Sequence, residues 1–314
     1  MGTTADKIRK ASSSVKQIRE AISYMGGTPP AKLADFPNEI RALPTGGGAR
    51  KLRDVNFFDY DGMLLYAFSS AEAATLTELP ALPIHDGLVS QEWTHTLDEV
   101  KARSDRLDVG VTCATDDGKT RFYLEFEDAN LVSVNLRFVQ SVSNGVVIDW
   151  GDGSETETAE GEGTVTVPHT FPSETLPAKY TVTLKATEGT LSFQGSLNSP
   201  WTMGSTRAHQ NLVRKLEIGS DVQEIGNCAF IHMHEAASVT IPNTVTSIGE
   251  SAFSGWDGID GIVIPRSMTV LSYGLLTGSH RLRHAVLPGG VTQIKGHVFD
   301  GNYALWEIVV PKSV

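Results

Sequence analysis

The chain has 314 residues, of which 40% are hydrophobic and 20% are charged, and its formal net charge is −11. This length suits two or three domains. The negative charge argues against a nucleic acid or an anionic membrane surface as partner, because both would repel the protein. No stretch approaches the ~20 apolar residues of a membrane span, and residues 1–10 lack the apolar segment of a secretory signal. The two cysteines, Cys113 and Cys228, are far apart in sequence and predict neither a disulfide framework nor a zinc site.

Residues 1–48 are predicted to form a helical attachment segment that ends in a glycine-rich linker. Apolar residues in the first helix alternate spacings of three and four, which is the a/d pattern of a coiled coil. These residues are Ile8, Ala11, Val15, Ile18, Ile22 and Met25. Gly26 and Gly27 would end this helix, and a second short helix is predicted at 31–43. We expect the six apolar residues to form an oligomerisation seam; alternatively, the helix packs on its own domain.

Residues 49–105 are predicted to form a small α+β module. Two predicted strands flank the Asp61-Gly62 turn, which is a hairpin pattern. Ser69 or Ser70 would cap a helix running to about 79, and Thr96 has the capping-box spacing for a helix at about 97–104. The sequences D-V-N-F-F-D-Y-D-G at 54–62 and W-T-H-T-L-D-E-V at 93–100 resemble a module of tail-associated phage proteins. The segment L-A-D-F-P-N-E-I-R-A-L at 33–43 resembles a segment of phage and prophage tail proteins.

Residues 106–200 are predicted to form an immunoglobulin-like β-sandwich, because short strands alternate with regular turns. The candidate strands are 107–114, 120–127, 132–140, 145–150, 163–168, 179–187 and 190–194. V-V-I-D-W-G-D-G-S at 146–154, followed by H-T-F and Y-T-V-T-L, resembles a polycystic-kidney-disease (PKD) domain. This resemblance implies a buried Trp150 and a role as spacer or adhesion unit. Asp149 and Asp152 could bind Ca²⁺; alternatively, Asp152 caps its own turn.

Residues 201–314 are predicted to form a solenoid of 23-residue repeats. The period is set by four pairs that end in proline: Ile241-Pro242, Ile264-Pro265, Leu287-Pro288 and Val310-Pro311. A fixed period of this size indicates stacked units that share one core. The unit V-T-S-I-G-E-S-A-F at 245–253 resembles the BspA-type leucine-rich repeat of bacterial surface proteins, which implies a presented surface rather than chemistry. Residues 311–314 repeat the start of a unit without a polar cap, so we expect the ladder to be cut short or covered by a partner.

Motifs for catalysis or cofactor binding are missing from the sequence: there is no G-x-S-x-G, P-loop or G-x-G-x-x-G. We therefore predict no catalytic residue, no cofactor and no metal, and we expect the H-x-H pair of His232 and His234 to be unligated. Three aromatic residues near the repeat loops are candidates for surface binding: Trp256, Tyr273 and Trp306. The alternative is that they fill gaps in the core.

The predicted fold class is multidomain α+β: coiled coil, α+β module, β-sandwich and leucine-rich-repeat solenoid. This order of parts resembles a phage or prophage tail protein. The resemblance implies a non-enzymatic component of a tail fibre, tip or baseplate, found in the virion and assembled in the host cytoplasm. It also implies attachment to other tail proteins through the N-terminus, a homotrimer, and repeats that bind a glycan or protein of the host surface. The alternatives are a bacterial cell-surface adhesin and an enzyme such as a glycan depolymerase.

Overall fold

The computed structural model describes residues 53–103, 105–174, 176–195, 202–305 and 307–314. The predicted coiled coil and the predicted helix at 31–43 lie outside these residues and stay predictions. Within the described part, no helix is long and apolar enough to cross a membrane. The described chain is mostly β-structure, with a few short helices.

The α+β module contains a four-stranded sheet with two short helices. Its elements are β1 (Val55–Phe58), β2 (Leu64–Phe68), α1 (Ser70–Ala74), β3 (Leu88–Trp93), α2 (Leu97–Lys101) and β4 (Leu107–Thr115). The strand order is β2-β1-β4-β3, with β1 and β4 parallel. Capping boxes at Ser69 and Thr96 begin the two helices. The box at Thr96 was predicted, and of the two predicted caps for the first helix the structure has Ser69. Helix α1 ends well before Leu79, which instead packs against the core of the module together with Leu76.

Strand β4 was expected to begin the sandwich, but it completes the sheet of the module. It pairs with β1 on one side and with β3 on the other, and all nine of its residues are buried. Such complete burial requires cover on both faces of the strand. One cover is the repeat region: a Cβ added at Gly110 would lie 2.6 Å from Cγ1 of Val263. The module therefore packs directly against the repeats, and Phe58, Leu64 and Val286 join Val263 in a small apolar cluster.

The sandwich has seven strands; six lie close to predicted positions, whereas the short strand at 157–158 was not predicted. They are β5 (Thr120–Phe126), β6 (Ser133–Gln140), β7 (Val146–Asp149), β8 (Glu157–Thr158), β9 (Gly163–Thr170), β10 (Ala178–Ala186) and β11 (Leu191–Phe193). Alternating burial along β5 and β6 gives each strand one inward face. Trp150 is buried as predicted, and its ring stacks on that of His169 at 4.2 Å.

The repeat region begins with α3 (Arg207–Gln210) and contains two columns of short strands. The first column contains β12 (Val213–Glu217), β14 (Val239–Thr240), β16 (Gly261–Val263) and β18 (His284–Val286). The second contains β13 (Val222–Ile225), β15 (Ser247–Ile248), β17 (Val270–Leu271) and β19 (Gln293–Ile294). The pairs of neighbouring strands within these columns are parallel, as expected for stacked units.

Both sheets of the sandwich continue into the repeats. One sheet has the order β14-β12-β5-β10-β7-β8, and the other has the order β15-β13-β11-β6-β9. Strand β12 pairs antiparallel with β5, while β13 pairs parallel with β11. A single apolar core extends from Phe122 to Val298. The sandwich therefore covers the first edge of the repeats, and the sheets do not end at the predicted boundary between residues 200 and 201.

Candidate recognition surface

The third side of each repeat is formed by the turn segment that follows its second strand. Backbone N–H groups there donate to carbonyl oxygens of the next repeat, as from Phe230 to Ala252 at 2.9 Å and from Phe253 to Leu275 at 3.1 Å. Two positions per turn segment are left-handed. They are Cys228, Ser251, Gly274 and His297, with φ of 53° to 63°, and His232, Gly255, Gly278 and Gly301, with φ of 63° to 76°. Because the turns superpose in register, equivalent side chains form columns along the solenoid.

One of these columns, which we call the buried column, faces the core. Its members are Met233, Trp256, Ser279 and Asn302. The Trp256 side chain has no exposed surface, and its Nε1 donates to the carbonyl oxygen of Phe230 at 2.7 Å. The expectation that Trp256 belongs to a binding surface is therefore wrong. Its position in the repeat, rather than its residue type, directs it inward.

The next position in each turn segment lies at the surface and forms what we call the exposed column. Its members are His280 and Tyr303, which are exposed, and His234 and Asp257, which are partly buried. Asp257 joins two repeats, because its Oδ2 lies 2.7 Å from Nδ1 of His234 and its Oδ1 lies 2.6 Å from Nδ1 of His280. Tyr303 is 84% exposed, and its ring stacks on that of His280 at 5.3 Å with an interplanar angle of 9°. Contacts between repeats thus hold a polar and aromatic row in one arrangement.

Electrostatics favour a charged carboxylate in the exposed column. Partial burial raises the pKa of Asp257, but hydrogen bonds from His234 and His280 outweigh this effect and bring the pKa below its usual value. The neighbouring His232 stacks on His234 with ring centroids 5.4 Å apart. Burial, with a contribution from the charge of Arg207, lowers the pKa of His232 to about 4, so this ring is neutral at neutral pH.

The other predicted surface residues have different outcomes. Tyr273 is 47% exposed and lies 5.1 Å, centroid to centroid, from the ring of His297. The Nδ1 atom of His297 lies 3.1 Å from Oδ2 of Asp300, which gives a second exposed group on the turn segments. Trp306 and the six residues of the predicted seam lie outside the described residues.

The acidic residues near the turn at 151–153 are engaged in local contacts. Asp152 accepts hydrogen bonds from the backbone and hydroxyl of Ser154 through Oδ1, and its Oδ2 lies 2.7 Å from Nε2 of His169. Asp149 accepts from the backbone N–H of Gly151 at 2.9 Å. Asp152 therefore caps its own turn, the alternative considered from the sequence.

One group of side chains in the described part of the chain has the composition of a metal site. Asp59, His85 and Cys113 each offer a ligand atom, and these atoms all lie within 4.8 Å of one another. The sequence reasoning missed this group, because the three residues are distant in the chain and match no metal motif.

The sequence reasoning also missed Tyr303, although the repeat contains a signal for it. Residues 23 positions apart share an environment in a regular solenoid. Tyr303 follows His234, Asp257 and His280 at this spacing, and charged or polar residues in one column predict exposure. Trp256 follows Met233 in the same way, but its column also contains the polar residues Ser279 and Asn302, so this comparison alone does not predict its burial.

The comparisons with known proteins concern the repeats. The family model of the BspA type leucine rich repeat region matches residues 207–314, in six copies. No curated protein matches the chain. None of the matches concerns a phage tail protein or a PKD domain.

Three solved structures of bacterial leucine-rich-repeat proteins are similar to part of the chain. The T. pallidum protein TpLRR is 27% identical, over 30% of this chain and 44% of its own, with a TM-score of 0.30. A leucine rich cell surface protein of Faecalibacterium prausnitzii A2-165 is 28% identical, over 40% and 33%, with a TM-score of 0.33. A leucine-rich repeat protein of Bacteroides ovatus ATCC 8483 is 21% identical, over 41% and 51%, with a TM-score of 0.27. The chain spans a third to about half of the length of these proteins. Residues 207–314 are a BspA-type leucine-rich repeat region, joined edge to edge to a β-sandwich.

Proposed function

We propose that this chain is a non-enzymatic recognition protein whose repeats bind a glycan or protein at a cell surface. The observation that carries the proposal is the exposed column, where four successive repeats hold His234, Asp257, His280 and Tyr303 in one row. Tyrosine provides contact area with few rotatable bonds, and an exposed aromatic ring suits sugar faces and protein surfaces. A rigid scaffold also favours binding, because less conformational entropy is lost when the ligand binds.

Within this proposal, the cell-surface adhesin is the better-supported biological setting. The support is the match of residues 207–314 to BspA-type repeats, together with their resemblance to repeats of bacterial surface proteins. The phage-tail alternative depends on the sequence resemblances of residues 33–43, 54–62 and 93–100 and on the order of the predicted parts. A gene neighbourhood that encodes other tail proteins would favour the tail setting, whereas a longer precursor with an export signal would favour the adhesin.

The binding proposal is tested with the full chain, fluorescently labelled, on a panel of envelope glycans and surface proteins from bacterial and animal cells. We expect saturable binding to at least one member of the panel. Tyr303→Ala should weaken this binding, whereas Val142→Ala should leave it unchanged, because Val142 is an exposed apolar residue in the sandwich. The proposal would be contradicted if the chain bound no member of the panel, or if both variants weakened binding equally. Incubation with the polysaccharides of the panel should release no cleavage products.

Oligomerisation is a separate part of the proposal and depends on the heptad pattern at residues 8–25. A coiled coil there would raise avidity by bringing several repeat surfaces together. Deletion of residues 1–43 is expected to convert an oligomer to a monomer in light scattering. An unchanged mass after the deletion would contradict the predicted seam.

A further inference from the structure

Asp59, His85 and Cys113 meet in the interior of the α+β module, away from the exposed column. Asp59 directly follows β1, Cys113 lies on the adjacent strand β4, and His85 belongs to the loop before β3. A bridge between His85 and Leu88 anchors that loop at the start of β3. Cys113 is fully buried and Asp59 nearly so, while His85 is partly exposed. Three separate segments thus converge on one point that solvent can approach from the histidine side.

The contacts of this group fix two of its side chains. Nε2 of His85 lies 3.1 Å from Oδ1 of Asp59, and that oxygen also accepts the backbone N–H of Tyr60 at 2.8 Å. The Tyr60 ring packs edge-on against the imidazole at 5.3 Å and limits its rotation. The Cys113 thiol has only a long contact of 3.8 Å to the hydroxyl of Ser90. The thiol is therefore weakly engaged beside an oriented imidazole and carboxylate.

The chemistry of the three ligand atoms narrows the choice of ion. A thiolate sulfur with an imidazole nitrogen suits Zn²⁺ and similar borderline divalent ions, and does not suit Mg²⁺ or Ca²⁺, which select oxygen. Bond lengths in tetrahedral zinc sites place ligand atoms roughly 3.3 to 3.6 Å apart. The His85 nitrogen and the Asp59 oxygen, 3.1 Å apart, are already near this spacing. The Cys113 sulfur lies within 4.8 Å of both and would approach them by at most about an ångström.

Local charge also favours a cation. The carboxylate of Asp59 and a thiolate at Cys113 would together balance a divalent ion, and Asp61 is close enough to act electrostatically on the same sulfur. Lys215 is the one cation among the largest electrostatic influences on Cys113. An ionised thiolate beside buried carboxylates is unfavourable without such an ion.

We propose that Asp59, His85 and Cys113 bind a Zn²⁺-class divalent cation, with the fourth position of the tetrahedron open to solvent. Binding displaces the thiol proton to water, and no redox change is involved. The ion ties the β1 turn, the loop before β3 and strand β4 together. Because β4 and Phe58 also pack on the repeats, the site stabilises the base on which the recognition surface is presented.

The test uses Co²⁺ as a spectroscopic probe on the full chain, kept reduced and freed of metal with a chelator. We expect a thiolate-to-cobalt charge-transfer band with tetrahedral visible bands, both removed by Zn²⁺. Cys113→Ser should abolish the charge-transfer band. Cys228→Ser is the matched control, because Cys228 is the other buried free cysteine, and it should retain the band. His85→Gln should weaken Co²⁺ affinity at least tenfold, since even outer partners of metal ligands contribute about 10- to 100-fold.

Melting temperatures measured with and without Zn²⁺ show whether each variant is folded. Zn²⁺ should raise the melting temperature of the wild type and of Cys228→Ser in proportion to log ion concentration, and should leave His85→Gln unchanged at the same concentrations. His85 is partly exposed, so its replacement by glutamine is compatible with folding. Absence of a charge-transfer band in folded wild-type protein, or an equal band in Cys113→Ser, would overturn the proposal. A failure of this metal test would not contradict glycan or protein recognition by the repeats, which the binding panel tests independently.

Discussion

The buried and exposed columns occupy adjacent positions in the same turn segments, yet their environments are opposite. Trp256 fills the core while Asp257 bridges two surface histidines. Asn302 is buried, and its side-chain oxygen accepts a hydrogen bond from the backbone N–H of Ser279. Tyr303 beside it is among the most exposed large side chains of the described chain. In a solenoid, the register within the repeat decides exposure, and the residue type adapts to it.

The largest expected effect is on the buried column. Trp256→Ala removes a fully buried indole and leaves the carbonyl oxygen of Phe230 without its donor. We expect the free energy of unfolding to fall by about 3–5 kcal/mol, measured by denaturant titration. Tyr303→Ala, in the adjacent column, is the control and should change it by less than about 0.5 kcal/mol. Similar losses in the two variants would contradict the separation of the columns.

A smaller effect is expected at Asn302. Its Oδ1 accepts the buried backbone N–H of Ser279 at 2.9 Å, and Ser279 Oγ in turn accepts the N–H of Trp256 at 3.3 Å. Asn302→Ala leaves a buried donor unpaired, which destabilises by about 1–3 kcal/mol. Denaturant titration measures the loss, and hydrogen exchange at Ser279 should accelerate. Unchanged exchange at Ser279 would show that this hydrogen bond does not form.

A pH-dependent effect is expected at Asp257 in the exposed column. Because the pKa of this carboxyl is lowered in the folded state, its stabilising effect is present above the ordinary value of 3.8 and is lost as the pH falls below that value. Asp257→Asn should therefore melt at a lower temperature than the wild type at neutral pH, with a stability difference below about 1 kcal/mol for a part-exposed group. The difference should disappear in acid. A difference independent of pH would contradict the charged bridge between His234 and His280.

The smallest effect on stability is expected for the stacked pair at the end of the exposed column. Tyr303→Phe keeps the ring that stacks on His280, whereas His280→Ala removes its partner. Tyr303→Phe should leave the melting temperature nearly unchanged, because the ring of Tyr303 is exposed. His280→Ala should lower it by no more than Asp257→Asn does, because it removes one of the two histidine partners of Asp257. Binding should respond differently: Tyr303→Phe should retain more affinity than His280→Ala if the stack orients the ring. Equal affinities would show that the stack has no part in binding.

Much of the fold follows from local sequence. The capping box at Thr96, a cap at Ser69 or Ser70, six of the seven sandwich strands and the 23-residue period were predicted, because each depends on residues close in the chain. The placement of β4 was not predicted, since a strand whose apolar residues alternate with polar or small ones, L-D-V-G-V-T-C-A-T, fits a sandwich as well as a mixed sheet. The pairing of β12 with β5 brings distant segments together and leaves no periodic mark in the sequence.

The same distinction applies to the candidate sites. Single aromatic residues were chosen as binding candidates by type, and Trp256 shows why that criterion fails within a repeat. Comparison along the column of His234, Asp257 and His280 would have placed Tyr303 at the surface, whereas the column of Trp256 also contains Ser279 and Asn302 and does not decide its environment. The group of Asp59, His85 and Cys113 has no such signal, because its members meet only after β1 and β4 pair.

The most direct test of the proposed recognition role is the affinity of the full chain for the glycan or protein that it binds best in the panel. The comparison is between the wild type, a Tyr303→Ala/His280→Ala double variant and the Val142→Ala control. The account predicts that the affinity of the double variant falls at least about tenfold, which corresponds to about 1.4 kcal/mol. The affinity of the Val142→Ala control should stay unchanged, and the melting temperature of the double variant should fall by no more than that of Asp257→Asn. Wild-type affinity in the double variant would contradict the assignment of the exposed column as the recognition surface.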